Sequence, residues 1–95
     1  MSSQTLHLET EIGRTTATAM TTNAGDIDTL TGQLQAQIND FVGTHWMGQA
    51  AVQFQTEFDT WIKKMTAETA ELTALAEKLT QEIQNWEAAA SALGG

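Results

Sequence analysis

Cysteine, proline and tyrosine are all missing from the 95 residues. Without cysteine there is no disulfide framework and no thiolate-held zinc or iron–sulfur centre, so a small chain must be stabilised by packing alone. Without proline nothing interrupts a long helix, because no ring clashes with the preceding turn and no backbone donor is lost. Basic residues are scarce. Arg14, Lys63, Lys64 and Lys78 stand against twelve acids, for a formal charge of −8 and a pI near 4.3. Four cations that form no stripe exclude nucleic-acid binding by counterion release, and the net charge opposes adsorption on anionic lipid at neutral pH. Apolar runs are short, reaching three residues at Ala50-Ala51-Val52 and Ala88-Ala89-Ala90. A membrane-crossing helix needs about 20. The first nine residues carry no basic segment, apolar stretch or small-residue cleavage site, so no cleaved secretion signal is expected there and, taken alone, the chain points to the cytoplasm.

What is present is helical periodicity. From residue 51, steps of three and four visit Ala51, Phe54, Phe58, Trp61, Met65, Glu68, Leu72, Leu75, Leu79, Glu82 and Trp86. The two glutamates are followed by Thr69 and Ile83, where the stripe drifts by one position, as a 3.6-residue helix does against a 3.5-residue repeat. Ile62 and Ala76 widen the stripe into a core-facing face. Lys63, Lys64, Glu71, Glu77, Lys78 and Gln81 are expected on the opposite side. The pattern predicts a helix over 48–92, ended by Gly94-Gly95.

The first half has the same period with a weaker signal. Ile27, Leu30, Leu34, Ile38 and Phe41 form a stripe, Met20 lies one heptad before Ile27, and Leu8, Ile12, Thr16 and Ala19 extend it upstream. Threonine is dense at Thr15, Thr16, Thr18, Thr21 and Thr22 and contributes little by propensity. One helix over 6–42 is expected, bent or frayed near Gly25; a split at Asn23-Ala24-Gly25-Asp26 is the alternative. Gly25 and Gly32 read either as tolerated weak points, about 1 kcal/mol each against alanine, or as places where a neighbouring helix comes close.

Between the helices, residues 43–47 make a turn, with Gly43 and Gly48 bracketing Thr44-His45-Trp46-Met47. The expected fold is all-α: a single hairpin of two antiparallel helices over residues 1–95, each about 60 Å long at 1.5 Å per residue. One partner helix cannot cover the whole apolar set of Ile27, Leu30, Leu34, Ile38, Phe41, Phe54, Phe58, Trp61, Met65, Leu72, Leu75, Leu79, Ile83 and Trp86. Such a set belongs in the core of a larger bundle, and a second hairpin completing a four-helix bundle is the economical solution.

Trp46-Met47-Gly48 is a W-x-G trio at the midpoint of a chain of about this length, in the turn between two long helices, with no proline or cysteine anywhere. In length, layout and motif the chain resembles the WXG family, the small early-secreted-antigen-like substrates of bacterial type VII secretion. The resemblance implies a hairpin that pairs with a sister protein into an antiparallel four-helix bundle, export without a cleaved signal, and recognition of the folded pair by a membrane ATPase. It thereby reverses the cytoplasmic expectation. It also implies that the Trp46/Gly48 turn contributes to an export signal together with a tail on the partner. On physical grounds, Gly48 suits a tight helix start where a side chain would obstruct. Trp46 offers a large apolar body with an N–H at the bundle end.

The chain departs from the family pattern in one respect. The export motif of mycobacterial-type pairs is a tyrosine with an acid four positions later, just past helix 2. Here Phe41, Trp46, Phe54, Phe58, Trp61 and Trp86 are followed at that spacing by His45, Ala50, Phe58, Ile62, Met65 and Ala90. None is acidic. A heterodimer whose partner carries the motif is therefore expected ahead of a homodimer.

No enzymatic or cofactor chemistry is expected. His7 and His45 lie near opposite ends of helix 1, there is no His-Glu-x-x-His pair, and Asp26-Ile27-Asp28 lacks the other ligands of a calcium loop. There is no nucleophile elbow or phosphate-cradling loop, and Ser2, Ser3 and Ser91 lie at the termini. Two other functions remain: a membrane-permeabilising subunit whose carboxylates neutralise on acidification, and an intracellular helical adaptor.

Overall fold

The structure is a computed structural model that describes residues 8–93. Two helices account for nearly all of it. Helix α1 spans Thr10–Thr44 and helix α2 spans Gln49–Ala92, packed antiparallel in a hairpin 69 Å long with a cross-section of 23 × 18 Å. At about 10–12 Å per helix with side chains, that section holds one layer of two helices. Among the described residues there is no β-strand.

Helix 1 starts later than its pattern suggests. The expected first residue, like His7, lies outside the described residues, while Leu8 and Glu9 are described and not helical. Glu9 is extended at φ −86°, and Gly13 N–H donates to its carbonyl at 2.9 Å, opening the first turn. The helix then runs unbroken through Gly25 and Gly32. The bend comes instead at the far end, where Val42 is extended (φ −76°, ψ 124°) and Gly43 takes φ +95°. The expected Gly94-Gly95 terminus falls outside the described residues.

Threonine survives inside the helices by a local device. The Thr16, Thr21, Thr56, Thr60, Thr66, Thr73 and Thr80 hydroxyls each donate to the carbonyl four residues back, at 2.9–3.2 Å. The polar group is satisfied without leaving the helix.

The seam between the helices is built from small residues. Ala17, Ala24, Ala51 and Ala76 are buried, as are Thr69 and Ile83. On α1 the seam follows Thr10, Ala17, Ala24, Thr31 and Ile38 at intervals of seven, with Gly13, Met20 and Ile27 beside them. The upstream extension through Ile12, Thr16 and Ala19 is a correction. Those side chains are exposed, Ile12 at 60%, because α1 turns its small-residue column to α2. At Gly13 the opposite helix leaves no room for a side chain: an added Cβ would stand 2.8 Å from Ile83 Cδ1. Around Gly25 and Gly32 there is nothing within 4 Å among the described residues, so the close approach considered for them belongs to Gly13. Two polar contacts mark the register. The buried Thr69 hydroxyl donates to Asp28 Oδ1 at 2.6 Å, and Gln55 donates to Asn39 at 2.9 Å.

Candidate functional site

The Trp46-Met47-Gly48 turn is organised by backbone conformation first. Gly43 at φ +95° ends the regular part of α1, in a region where a Cβ is strained. The N–H groups of His45 and Trp46 both donate to the Phe41 carbonyl, at 2.9 and 3.0 Å, and Gly43 N–H donates to the Trp46 carbonyl at 2.8 Å. These bonds give a one-residue bridge between Val42 and Trp46. Gly48 then adopts φ +115°, ψ 178°, a conformation essentially confined to glycine, and its carbonyl accepts from Val52 N–H to begin α2. Gly48 is thus at a tight helix start, as expected from the sequence for a position where a side chain would obstruct the turn or a neighbouring backbone. No described atom lies within 4 Å of a Cβ there, so backbone conformation is the operative constraint.

Trp46 ties this turn to both helices. Its ring lies 6.0 Å from Phe41 at the end of α1 and 5.6 Å from Phe54 on α2. The series continues through Phe58 at 6.4 Å and Trp61 at 5.7 Å, all within the range of favourable ring contact. His45 stacks on Phe41 at 6.4 Å, and its Nε2 stands 3.9 Å from Asp40 in an exposed pair. Met47, between Trp46 and Gly48, is 73% exposed at the tip.

From the aromatic series an apolar face runs along the hairpin. Of the residues expected in a bundle core, Ile83 is fully buried between the two helices. Ile27, Ile38, Phe58, Met65, Leu72, Leu79 and Trp86 are half-buried at the seam's edge. Leu30, Leu34, Phe41, Phe54, Trp61 and Leu75 lie between 38% and 64% exposed within this chain. The hairpin thus buries Ala17, Ala24, Ala51 and Ala76 with Ile83 and leaves most of its larger apolar side chains partly or largely exposed.

The other side of the hairpin is polar. Thr18, Thr21, Thr22, Thr80, Gln81 and Gln84 line a shallow groove, with Arg14 among its lining residues. Arg14 makes a two-pronged pair with Glu87, one arm at 2.8 Å. The hydrogen bond from Arg14 holds the Glu87 carboxyl below the usual glutamate range, with the positive charge adding to it, and Arg14 is raised in return. Both groups are solvent-exposed, so salt screens the pair.

Sequence reasoning missed Ala17 and Ala24, because alanine carries little weight in an apolar pattern. Their spacing of seven, continued by Thr31 and Ile38, is the signal that marks the seam. It also missed Gly13, whose role depends on what α2 brings opposite, and the Arg14–Glu87 pair, whose partners are 73 residues apart.

Among the described residues no helix is long and apolar enough to cross a membrane, and no three His, Asp or Glu side chains group as metal ligands. Comparison with curated proteins and with solved structures gives no match. Comparison with protein families gives WXG100, described as proteins of 100 residues with WXG, over residues 7–91. Members of this family are small helical secreted proteins associated with type VII secretion; they generally pair with other WXG proteins and are not known as enzymes. With the match spanning both helices and the Trp46–Gly48 turn that joins them, the chain belongs to the WXG100 family.

Proposed function

We propose that this protein is one half of a type VII secretion heterodimer, a non-enzymatic interaction protein exported as a folded pair. The apolar face carries this reading. Leu30, Leu34, Phe41, Phe54, Trp61 and Leu75 remain at least 38% exposed in one chain, and continuous apolar surface on this scale is usually covered by a partner. A second helical hairpin laid on this face would complete a four-helix bundle, with Ile27, Ile38, Phe58, Met65, Leu72, Leu79 and Trp86 at its interior margin.

In this reading Trp46 and Gly48 supply the W-x-G half of a composite export signal. The partner supplies the tyrosine–acid tail, since this sequence has no tyrosine. The secretion ATPase then engages the assembled pair through surfaces of both chains. The positive-φ glycines on either side of Trp46 support such a role, because they allow the sharp turn that sets Trp46 at the tip.

Co-expression with a neighbouring WXG protein that carries a tyrosine–acid tail, followed by size-exclusion chromatography, tests the pairing; the expected result is a 1:1 complex. Trp46→Ala is expected to leave that complex assembled while lowering its appearance in culture filtrate. Undiminished secretion after deletion of every sister gene would overturn the proposal.

A further inference from the structure

The exposed column of α2 is apolar at Phe54, Trp61 and Leu75 but acidic at Glu68 and Glu82, all at intervals of seven. Three residues after the first four of these stand Glu57, Lys64, Glu71 and Lys78, every one of them exposed. This flanking column alternates in sign along the helix. Glu71 and Lys78 line one shallow depression with Leu75, so the charged column borders the apolar one directly; this corrects the expectation that Glu71 and Lys78 lie opposite the stripe.

An alternating column is complementary to its own reverse. If α2 packs antiparallel on α2 of a second copy about its midpoint, Glu57 meets Lys78 and Lys64 meets Glu71, and each pair occurs twice by symmetry. A shift of seven residues in that register sets Lys64 against Lys78 and Glu71 against itself. Helix α1 of a second copy offers no substitute, because its one cation is Arg14, already paired with Glu87. The charges of the border therefore select one self-pairing register.

That register places Glu68 opposite Glu68, at the centre of the apolar column. Trp61 and Leu75 of the two copies would close on either side and remove water from two like charges. Among the described residues Glu68 has no ion-pair partner. Lys64 stands one turn before it, in the less favourable order for a helical pair, and in this register it faces Glu71 of the second copy.

We infer that Glu68 is the specificity-determining residue of this face: it turns the chain away from a second copy and toward a partner hairpin with lysine or arginine at the midpoint of the helix that packs on α2. The inference rests on the apolar face being a pairing surface, as proposed above. Attraction along the border and repulsion at the centre then act together, the usual arrangement in specific helix pairing.

Charge reversal within this one chain tests it, using sedimentation equilibrium on four samples: wild type, Glu68→Lys, their equimolar mixture, and Glu68→Leu. Glu68 is exposed, so none of these changes disturbs the hairpin seam. Wild type and Glu68→Lys are each expected to self-associate weakly. The mixture and Glu68→Leu are expected to associate at least about tenfold more tightly. Equal self-association of wild type and Glu68→Leu would overturn the role of Glu68 and leave the pairing surface standing. Association of Glu68→Leu without association of the mixture would overturn the register. Absence of association in all four samples would overturn the inference, while the pairing surface itself is decided separately by the co-expression experiment with a sister hairpin.

Discussion

The two ends of the hairpin are held together by different means. At the open end, where Thr10 and Ala92 lie, the helices meet through Gly13, Ala17, Ala76 and Ile83. The side chains are mostly small, Ile83 is wholly enclosed against Gly13, and the Arg14–Glu87 pair spans the outside. At the turn end Ala51 alone is buried, and Phe41, Trp46, Phe54, Phe58 and Trp61 form a half-exposed aromatic series. The open end has a buried seam of its own within one chain. The turn end holds its shape through backbone conformation and presents apolar surface that one chain does not cover. A hairpin that leaves an aromatic series half-exposed is suited to pairing, and the turn sets Trp46 within that series.

That contrast is broken most severely by Ile83→Ala. The residue is fully buried and packs on a glycine that has no side chain to fill the space, so a loss of about 2–5 kcal/mol is expected in denaturation followed by circular dichroism. A loss near zero would mean that the open end is not the closed one.

Glycine-to-alanine changes sharpen the comparison by sign. Gly48→Ala should destabilise by about 1–3 kcal/mol, because φ +115° with ψ near 180° is strained for any other residue. Gly25→Ala should stabilise by up to about 1 kcal/mol, since Gly25 is helical and a Cβ there meets nothing described within 4 Å. Thermal melts of the two variants beside wild type read the opposite shifts. The same direction for both would contradict the assigned backbone roles.

Midway between the ends, Thr69→Val removes the hydroxyl that joins α2 to Asp28 while keeping its volume. The expected cost is about 1 kcal/mol, a hydrogen bond lost with Asp28 still able to reach water.

The smallest effect belongs to Arg14→Gln. Glu87 is lowered in the folded state, so the pair's contribution is present above the usual glutamate range and disappears as pH falls through the lowered Glu87 titration. Wild type and variant should therefore differ in melting temperature at pH 7 and low salt, and converge at acid pH or in high salt. A difference that persists in acid would assign the effect to packing of the arginine stem.

Much of the fold was legible in the sequence because its helical signals are local. The 3.6-residue stripe from Ala51 to Trp86 and the missing prolines are enough for α2, and Trp46-Met47-Gly48 is enough for the turn. The sequence did not reveal which residues of the broad stripes would be spent inside the chain. Phe54, Trp61 and Leu75 look like core by hydrophobicity, yet the interior of this hairpin takes Ala17, Ala24, Ala51 and Ala76, because two helices can approach closely only where side chains are short. The expected bend at Gly25 is absent for a related reason. A glycine lowers helix propensity without breaking the helix, whereas Gly43 follows an extended Val42 and takes a positive φ.

Sequence alone determined the helical class, the position of the turn and the lack of every residue type needed for a staple or a thiolate metal site. Those properties follow from backbone preferences and side-chain chemistry that act over a few residues. Tertiary structure alone decided that Gly13 sits against Ile83 with no room for a side chain, and that Phe54, Trp61 and Leu75 are left largely exposed while alanines fill the seam. Each of these depends on what the opposite helix brings across the seam, and that is settled only when residues more than 40 positions apart are packed together.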